Sequence, residues 1–253
     1  MQPPVGNRVL EKRRILVVGA SSGIGRAVGV QAAAMGARVV LAARRADRLA
    51  EAAAEAGPEA STVVCDVRDP AACEAAVGQA AARLGGLDDL VYATAVDTLV
   101  PIADADAEVW FNTLATNVVG ASLVVRAALA HLKANRGRAV LISASSTGRP
   151  LPAMGVYATS KAALEELVRA WRSEHRDVGF TAVRIGMTLG TEVYASWDPA
   201  VLAAASPQWG QEGYLLDNGP DTMTVDQAAA AVVTALTVPV CLRDLTVTAA
   251  PPP

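Results

Sequence analysis

The stretch Ile15–Gly25, ILVVGASSGIG, decides the fold. A short apolar run, Ile15 to Val18, stops at Gly19, and Gly23 and Gly25 follow as a helical apolar pattern opens at Ile24. Run, turn and helix start are those of a dinucleotide-binding βα unit. Gly19 permits the tight turn, Gly23 lets backbone approach a pyrophosphate, and Gly25 lets the helix pack closely on the strand. The free N–H groups of the first helical turn and the helix dipole attract phosphate. Ser21, Ser22 and Ile24 complete the loop expected to contact the cofactor.

Strand and helix patterns alternate along the rest of the chain. They predict a Rossmann-type, doubly wound α/β fold, with a mostly seven-stranded parallel sheet and helices on both faces. Residues 12–253 are read as one domain and residues 1–11 as a flexible N-terminal arm. One long helix is expected over about Glu108–Ala134. The segment 188–222 is too long for an ordinary connection and holds Tyr194, Trp197, Trp209 and Tyr214, in a chain only 4% aromatic. Long segments of this kind are usually functional.

Bulk properties narrow the function classes. The chain has 253 residues, is 52% hydrophobic and carries a formal charge of −3. That balance gives no reason to expect nucleic acid or an anionic membrane as partner. Cys65, Cys73 and Cys241 have no metal-binding spacing, and neither have His131 and His175, so no metal is expected. No signal peptide is recognised and no stretch reads as reaching membrane-spanning length, so a soluble cytoplasmic protein is expected.

The end of the second strand selects the cofactor. An acid there would accept a hydrogen bond from a ribose 2′-hydroxyl and repel a 2′-phosphate. The position is Ala43, followed by Arg44 and Arg45. Guanidinium groups grip phosphate with paired, charge-assisted hydrogen bonds, and Ser22 is near enough in such a turn to help. The cofactor read from these residues is NADP(H).

Tyr157 and Lys161 are four apart and share one helix face. A free tyrosine is a poor base at neutral pH, but a nearby ammonium favours the phenolate. The pair is thus expected to exchange a proton with a hydroxyl or carbonyl oxygen.

Taken in order, the glycine turn G-x-x-x-G-x-G, Asn117 in TNVVG and the Tyr157-x-x-x-Lys161 pair resemble the short-chain dehydrogenase/reductase family, over nearly the whole chain. The resemblance implies an oxidoreductase moving hydride between NADP(H) and a secondary alcohol or carbonyl compound. Lys161 would also hold the cofactor's ribose, and Asn117 would distort its helix around a proton-relaying water. Asp66 and Val67 would meet the adenine, Ala93 the ribose, and Thr188 the nicotinamide. The segment 188–222 would cover the substrate, and the chain would form a homodimer or homotetramer.

Three departures stand out. The family's N-N-A-G is Tyr92-Ala93-Thr94-Ala95, and its P-G is Ile185-Gly186. The family serine that polarises the carbonyl falls on Ala144 in a gap-free reading, and on Ser145 when Gly148 is the anchor. Ser145 is favoured, and Ser143 and Ser146 stand as alternatives. A chain without this hydroxyl would be a non-catalytic NADP(H)-binding sensor.

Overall fold

The computed structural model describes residues 9–211 and 222–249. The chain runs β1 (Arg14–Val18), α1 (Gly23–Ala34), β2 (Arg38–Ala43), α2 (Ala46–Ala56), β3 (Ala60–Val64), α3 (Pro70–Leu84) and β4 (Asp89–Tyr92). There follow α4 (Ala107–Leu114), a π-helical turn (Ala115–Val119), α5 (Gly120–Ala134), β5 (Arg138–Ala144), α6 (Gly155–Glu174) and β6 (Gly179–Ile185). The last part holds β7 (Thr188–Leu189), a 3-10 turn (Glu192–Ser196), α7 (Pro199–Gln211), β8 (Met223–Thr224), α8 (Val225–Thr237) and β9 (Asp244–Val247).

Seven strands form one parallel sheet in the order β3-β2-β1-β4-β5-β6-β9, as the alternating pattern predicted. Both faces are covered, so the strands are apolar on both sides. Leu16 and Val18 face a core shared with Val77 and Ala80 of α3, Val124 and Ala128 of α5, and Leu164 of α6. Their neighbours Ile15 and Val17 face the opposite core, with Val28 of α1, Leu49 of α2 and Val232 of α8. This two-residue alternation is the pleat of the strand. From β1 the chain moves outward to β2 and β3, then returns to place β4 on the other side of β1. A crevice opens at that reversal, at the carboxyl ends of β1 and β4. The other end is tied down by ion pairs, Arg13 with buried Asp89 at 2.7 Å and Arg14 with Asp88 at 2.6 Å.

Three expectations change. The long helix exists but is broken at Ala115–Val119 by a wider turn centred on Asn117. The whole run Ala107–Ala134 is long and apolar enough, by length and composition, to cross a membrane, which corrects the expectation that no stretch is. Its residues Val124, Val125, Ala128 and Leu132 are spent on the core of the sheet. Finally, the end of the expected arm is docked. Leu10 is buried, and its N–H donates to Met35 O at 3.2 Å. Residues 1–8 of that arm lie outside the described residues.

Candidate active site

The crevice at the sheet reversal is a cavity of about 370 Å³. Its floor is the β1–α1 turn. Gly19 adopts φ +90°, and a Cβ on it would stand 2.7 Å from Ala93 C and Thr94 N. A Cβ on Gly25 would stand 2.3 Å from Gly19 O. Both positions therefore exclude any side chain without movement of the turn. Ser22 is the N-cap of α1 but its side chain caps nothing, and the first turn carries no acid. The helix end thus keeps its positive pole facing the crevice. Gly19, Ser21, Ser22, Gly23 and Ile24 line the cavity, and Gly25 lies beneath them.

Arg44, Arg45, Asp66, Val67 and Ala93 line the same cavity. Arg45 Nη2 donates to Ser21 Oγ at 3.0 Å, to Ser22 Oγ at 2.9 Å and to Glu192 Oε2 at 2.6 Å. Arg44 is exposed, and its guanidinium makes no hydrogen bond among the described residues. Asp66 is clamped by Arg68, whose Nη2 lies 2.7 Å from Oδ2; that hydrogen bond holds the carboxyl down at about 2. Asp69 caps α3, accepting from Ala71 N at 2.8 Å, so the two neighbouring acids have separate tasks.

Tyr157 and Lys161 project from α6 onto the cavity wall. Lys161 is buried and its Nζ donates to Ile142 O at 2.8 Å; the same atom lies 5.7 Å from the Tyr157 ring centre. Burial lowers the ammonium to about 8, against the opposing pull of Asp97 and Glu165. Burial also pushes the Tyr157 phenol upward, and Asp97 and Tyr194 add to that rise. Desolvation thus disfavours the charged phenolate and favours the phenol, which can donate its proton.

Asn117 is fully buried and lies behind the wall. Its Oδ1 accepts from Val96 N at 2.9 Å, and its Nδ2 donates to Val96 O and Ser160 Oγ, each at 2.9 Å. It ties the segment after β4 to α6, and the π-helical turn at its position is the helix distortion that the resemblance implied. Tyr92, in place of the family's first Asn, reaches the same turn by donating from Oη to Thr116 O at 2.6 Å.

A second, smaller cavity adjoins the first and shares Asp97, Val193 and Tyr157 with it. Ala144, Ser145 and Ser146 all line it. Of the three candidate serines, Ser143 alone does not line this cavity. Ser143 donates to Glu165 Oε1 at 2.8 Å on the far side of the strand, within a network that includes Arg184 and Thr147. Alternation fails here because β5 ends at Ala144 and the chain turns at Ser145. Buried Ser146 Oγ has no hydrogen-bond partner among the described residues.

Thr188 does not line either cavity. It pairs with Met223 across β7 and β8, and its hydroxyl donates to Gly186 O at 3.0 Å. Thr191 and Glu192 line the crevice instead. Beyond them, Trp197 and Trp209 pack with Leu99, Leu151 and Met154 as a third apolar cluster, against which Tyr194 also packs. Tyr214 lies outside the described residues. Asp97 was missed by the sequence reading. Its signal is a lone acid in the apolar stretch Val91–Pro101.

A glycine-floored crevice at the reversal of a parallel sheet, with a Tyr–Lys pair on its wall, has the architecture of a doubly wound, Rossmann-type α/β fold. Residues 13–201 match the family model described as short chain dehydrogenase, and the chain belongs to that family. It is 35% identical over 178 residues to 11-beta-hydroxysteroid dehydrogenase A of Sesamum indicum, covering 68% of this chain and 51% of that protein. It is 32% identical over 198 residues to an NADPH-dependent aldehyde reductase-like protein, chloroplastic, of Arabidopsis thaliana, covering 72% of each. The chain spans about half the length of several curated relatives. An alcohol dehydrogenase of Thermococcus sibiricus, solved with 5-hydroxy-NADP, superposes with a TM-score of 0.81 at 25% identity, covering 94% of this chain and 96% of that one.

Proposed function

We propose that this protein interconverts a secondary alcohol and its carbonyl compound using NADP(H). The observation that carries the reading is the position of Tyr157. It lies on the wall shared by the glycine-floored crevice and the smaller cavity, so a substrate oxygen beside it faces a bound dinucleotide.

The crevice fits such a cofactor. The uncapped start of α1 and the side-chain-excluding positions Gly19 and Gly25 suit a pyrophosphate. Arg44 and Arg45, with no acid at Ala43, suit a 2′-phosphate. When bound, NADP(H) supplies or accepts the hydride. Tyr157 Oη gives its proton to the carbonyl oxygen during reduction and recovers it during oxidation. Lys161 Nζ spends one hydrogen bond on Ile142 O; its remaining N–H groups hold the ribose hydroxyls. Asn117 positions α6 through Ser160 and Val96. Ser145 supplies the hydroxyl that polarises the carbonyl. The segment 188–222 covers the substrate, and Asp66, Val67 and Ala93 complete the cofactor's surroundings.

A homodimer or homotetramer in the cytoplasm is part of the same reading. Phe111 and Val119, exposed at 71% and 52% on the long composite helix, support a subunit contact there. The gap-free reading, which puts Ala144 at the family's serine position, favours a second function, an NADP(H) sensor without turnover. A panel of ketones, aldehydes and secondary alcohols, followed by NADPH absorbance, separates the two. Turnover supports the enzyme; tight NADPH binding with no turnover on any member supports the sensor.

A further inference from the structure

We propose that Asp97 selects the substrate, accepting a hydrogen bond from a hydroxyl or protonated amine on the carbon next to the one that exchanges hydride. The inference rests on the oxidoreductase reading for the place of that carbon, and on the geometry of Asp97 for the rest.

Asp97 is only 3% exposed and lines both the crevice and the smaller cavity. Asp97 therefore stands at the seam of the two cavities, as Tyr157 does. The carboxyl is fixed from the covering segment. Trp197 Nε1 donates to Oδ2 at 3.1 Å, and Ser196 Oγ donates to the Asp97 backbone oxygen at 2.9 Å. Trp197 is itself wedged edge-on between Tyr194 and Trp209, at ring separations of 4.5 and 5.6 Å. Oδ1 is buried and has no hydrogen-bond partner among the described residues. Buried acceptors are ordinarily satisfied, and a ligand donor at this point would satisfy this one.

Leu151, Met154, Met187 and Val193 make much of the remaining wall apolar. An aromatic or alkyl body with one polar donor beside the reacting carbon matches that division. The charged and titratable groups facing Asp97 are Lys161 and Tyr157 from α6 and Tyr194 from the covering segment, with the Thr98 N–H beside it. Burial pushes the carboxyl up to about 7, with Trp197 and Lys161 opposing. Above that pH the carboxylate attracts an ammonium; below it the attraction fades. A site built around a substrate donor discriminates strongly against the analogue lacking it, because its own acceptor is then left unpaired.

Three matched probes test this: phenylpropanol, the phenylpropanediol with a vicinal hydroxyl, and the corresponding vicinal amino alcohol. Their affinities for the full-length protein are measured by ligand-observed NMR, with and without NADPH, where the alcohols cannot react. Their oxidation with NADP+ is measured separately. The diol is expected to bind about tenfold or more tighter than phenylpropanol. The amino alcohol should gain further between pH 6 and pH 8. Asp97→Asn should erase the gain of the amino alcohol, because its amide keeps an oxygen for Trp197 and turns a donor toward an ammonium that cannot accept, and Asp97→Ala should erase the preference for the diol. Equal affinity of diol and phenylpropanol for the unmutated protein, or no measurable binding of either donor-bearing probe, overturns the proposal whatever the turnover. A preserved preference with no oxidation of any probe, ketone or aldehyde instead overturns the oxidoreductase reading and leaves the Asp97 assignment standing.

Discussion

Arg45 Nη2 lies 2.6 Å from Glu192 Oε2. Arg45 is the N-cap of α2 and Glu192 opens the 3-10 turn after β7, so this contact spans one end of the crevice that both residues line. The same guanidinium also holds Ser21 and Ser22 of the glycine turn. A 2′-phosphate arriving there meets a cation already engaged by a carboxylate. Both side chains are almost half exposed, so the pair itself is worth little.

Removing that competitor should help the cofactor. Glu192→Gln is expected to tighten NADPH binding by about three- to tenfold, measured by fluorescence titration. Unchanged or weaker binding would show that Glu192 does not compete for Arg45.

Arg44 carries the complementary prediction, because it lines the crevice without a hydrogen-bond partner among the described residues. The unmutated protein should prefer NADPH over NADH by about tenfold or more, or about 1.4 kcal/mol. Arg44→Ala should remove most of that gap in titration calorimetry. Equal affinities before mutation contradict the NADP(H) assignment.

Two glycines inside helices should respond oppositely to alanine. Gly25→Ala drives a Cβ to 2.3 Å from Gly19 O; it should cost about 1–3 kcal/mol or more in urea unfolding. Gly78 in α3 has nothing within 4 Å of its added Cβ. There alanine should stabilise by about 0.5–1 kcal/mol. Similar effects at both sites would contradict the close approach at the turn.

Asp97 links stability to pH. Its folded carboxyl titrates at about 7, above its ordinary 3.8. Between these values the folded chain keeps a proton that the unfolded chain has lost, so stability falls as pH rises through the window. Asp97→Asn has no such proton. Its Tm relative to the unmutated protein should rise between pH 5 and pH 8, by about 3 °C or more. Lys161 acts in the opposite sense and only above about 8, where its lowered value releases a proton early. A Tm difference that does not change with pH contradicts the burial of an ionisable Asp97.

What could be read from the chain alone was what local sterics decide. Gly19 and Gly25 stand where a Cβ cannot, and the Tyr157–Lys161 pair shares a face because four residues span about one helical turn. Alternating apolar strands and amphipathic helices dictated the parallel sheet. The rest depends on partners distant in sequence. Ser143 turns from the pocket because Glu165 and Arg184 claim it, and Ser146 enters because β5 stops one residue after Ser143. Trp197, far along the chain, sets the carboxyl of Asp97, and the short β7–β8 ladder holds Thr188 outside the crevice. The π-helical turn at Asn117 has no signature in hydropathy; only the resemblance to the family pointed to it.

The most direct test is Tyr157→Phe, which keeps the ring and deletes the proton. The account predicts unchanged NADPH affinity and an unchanged fold, with turnover of any substrate found in the carbonyl panel reduced by about 10²-fold or more. Turnover equal to that of the unmutated protein would contradict the assignment of Tyr157 as the proton donor, and with it the account's central claim.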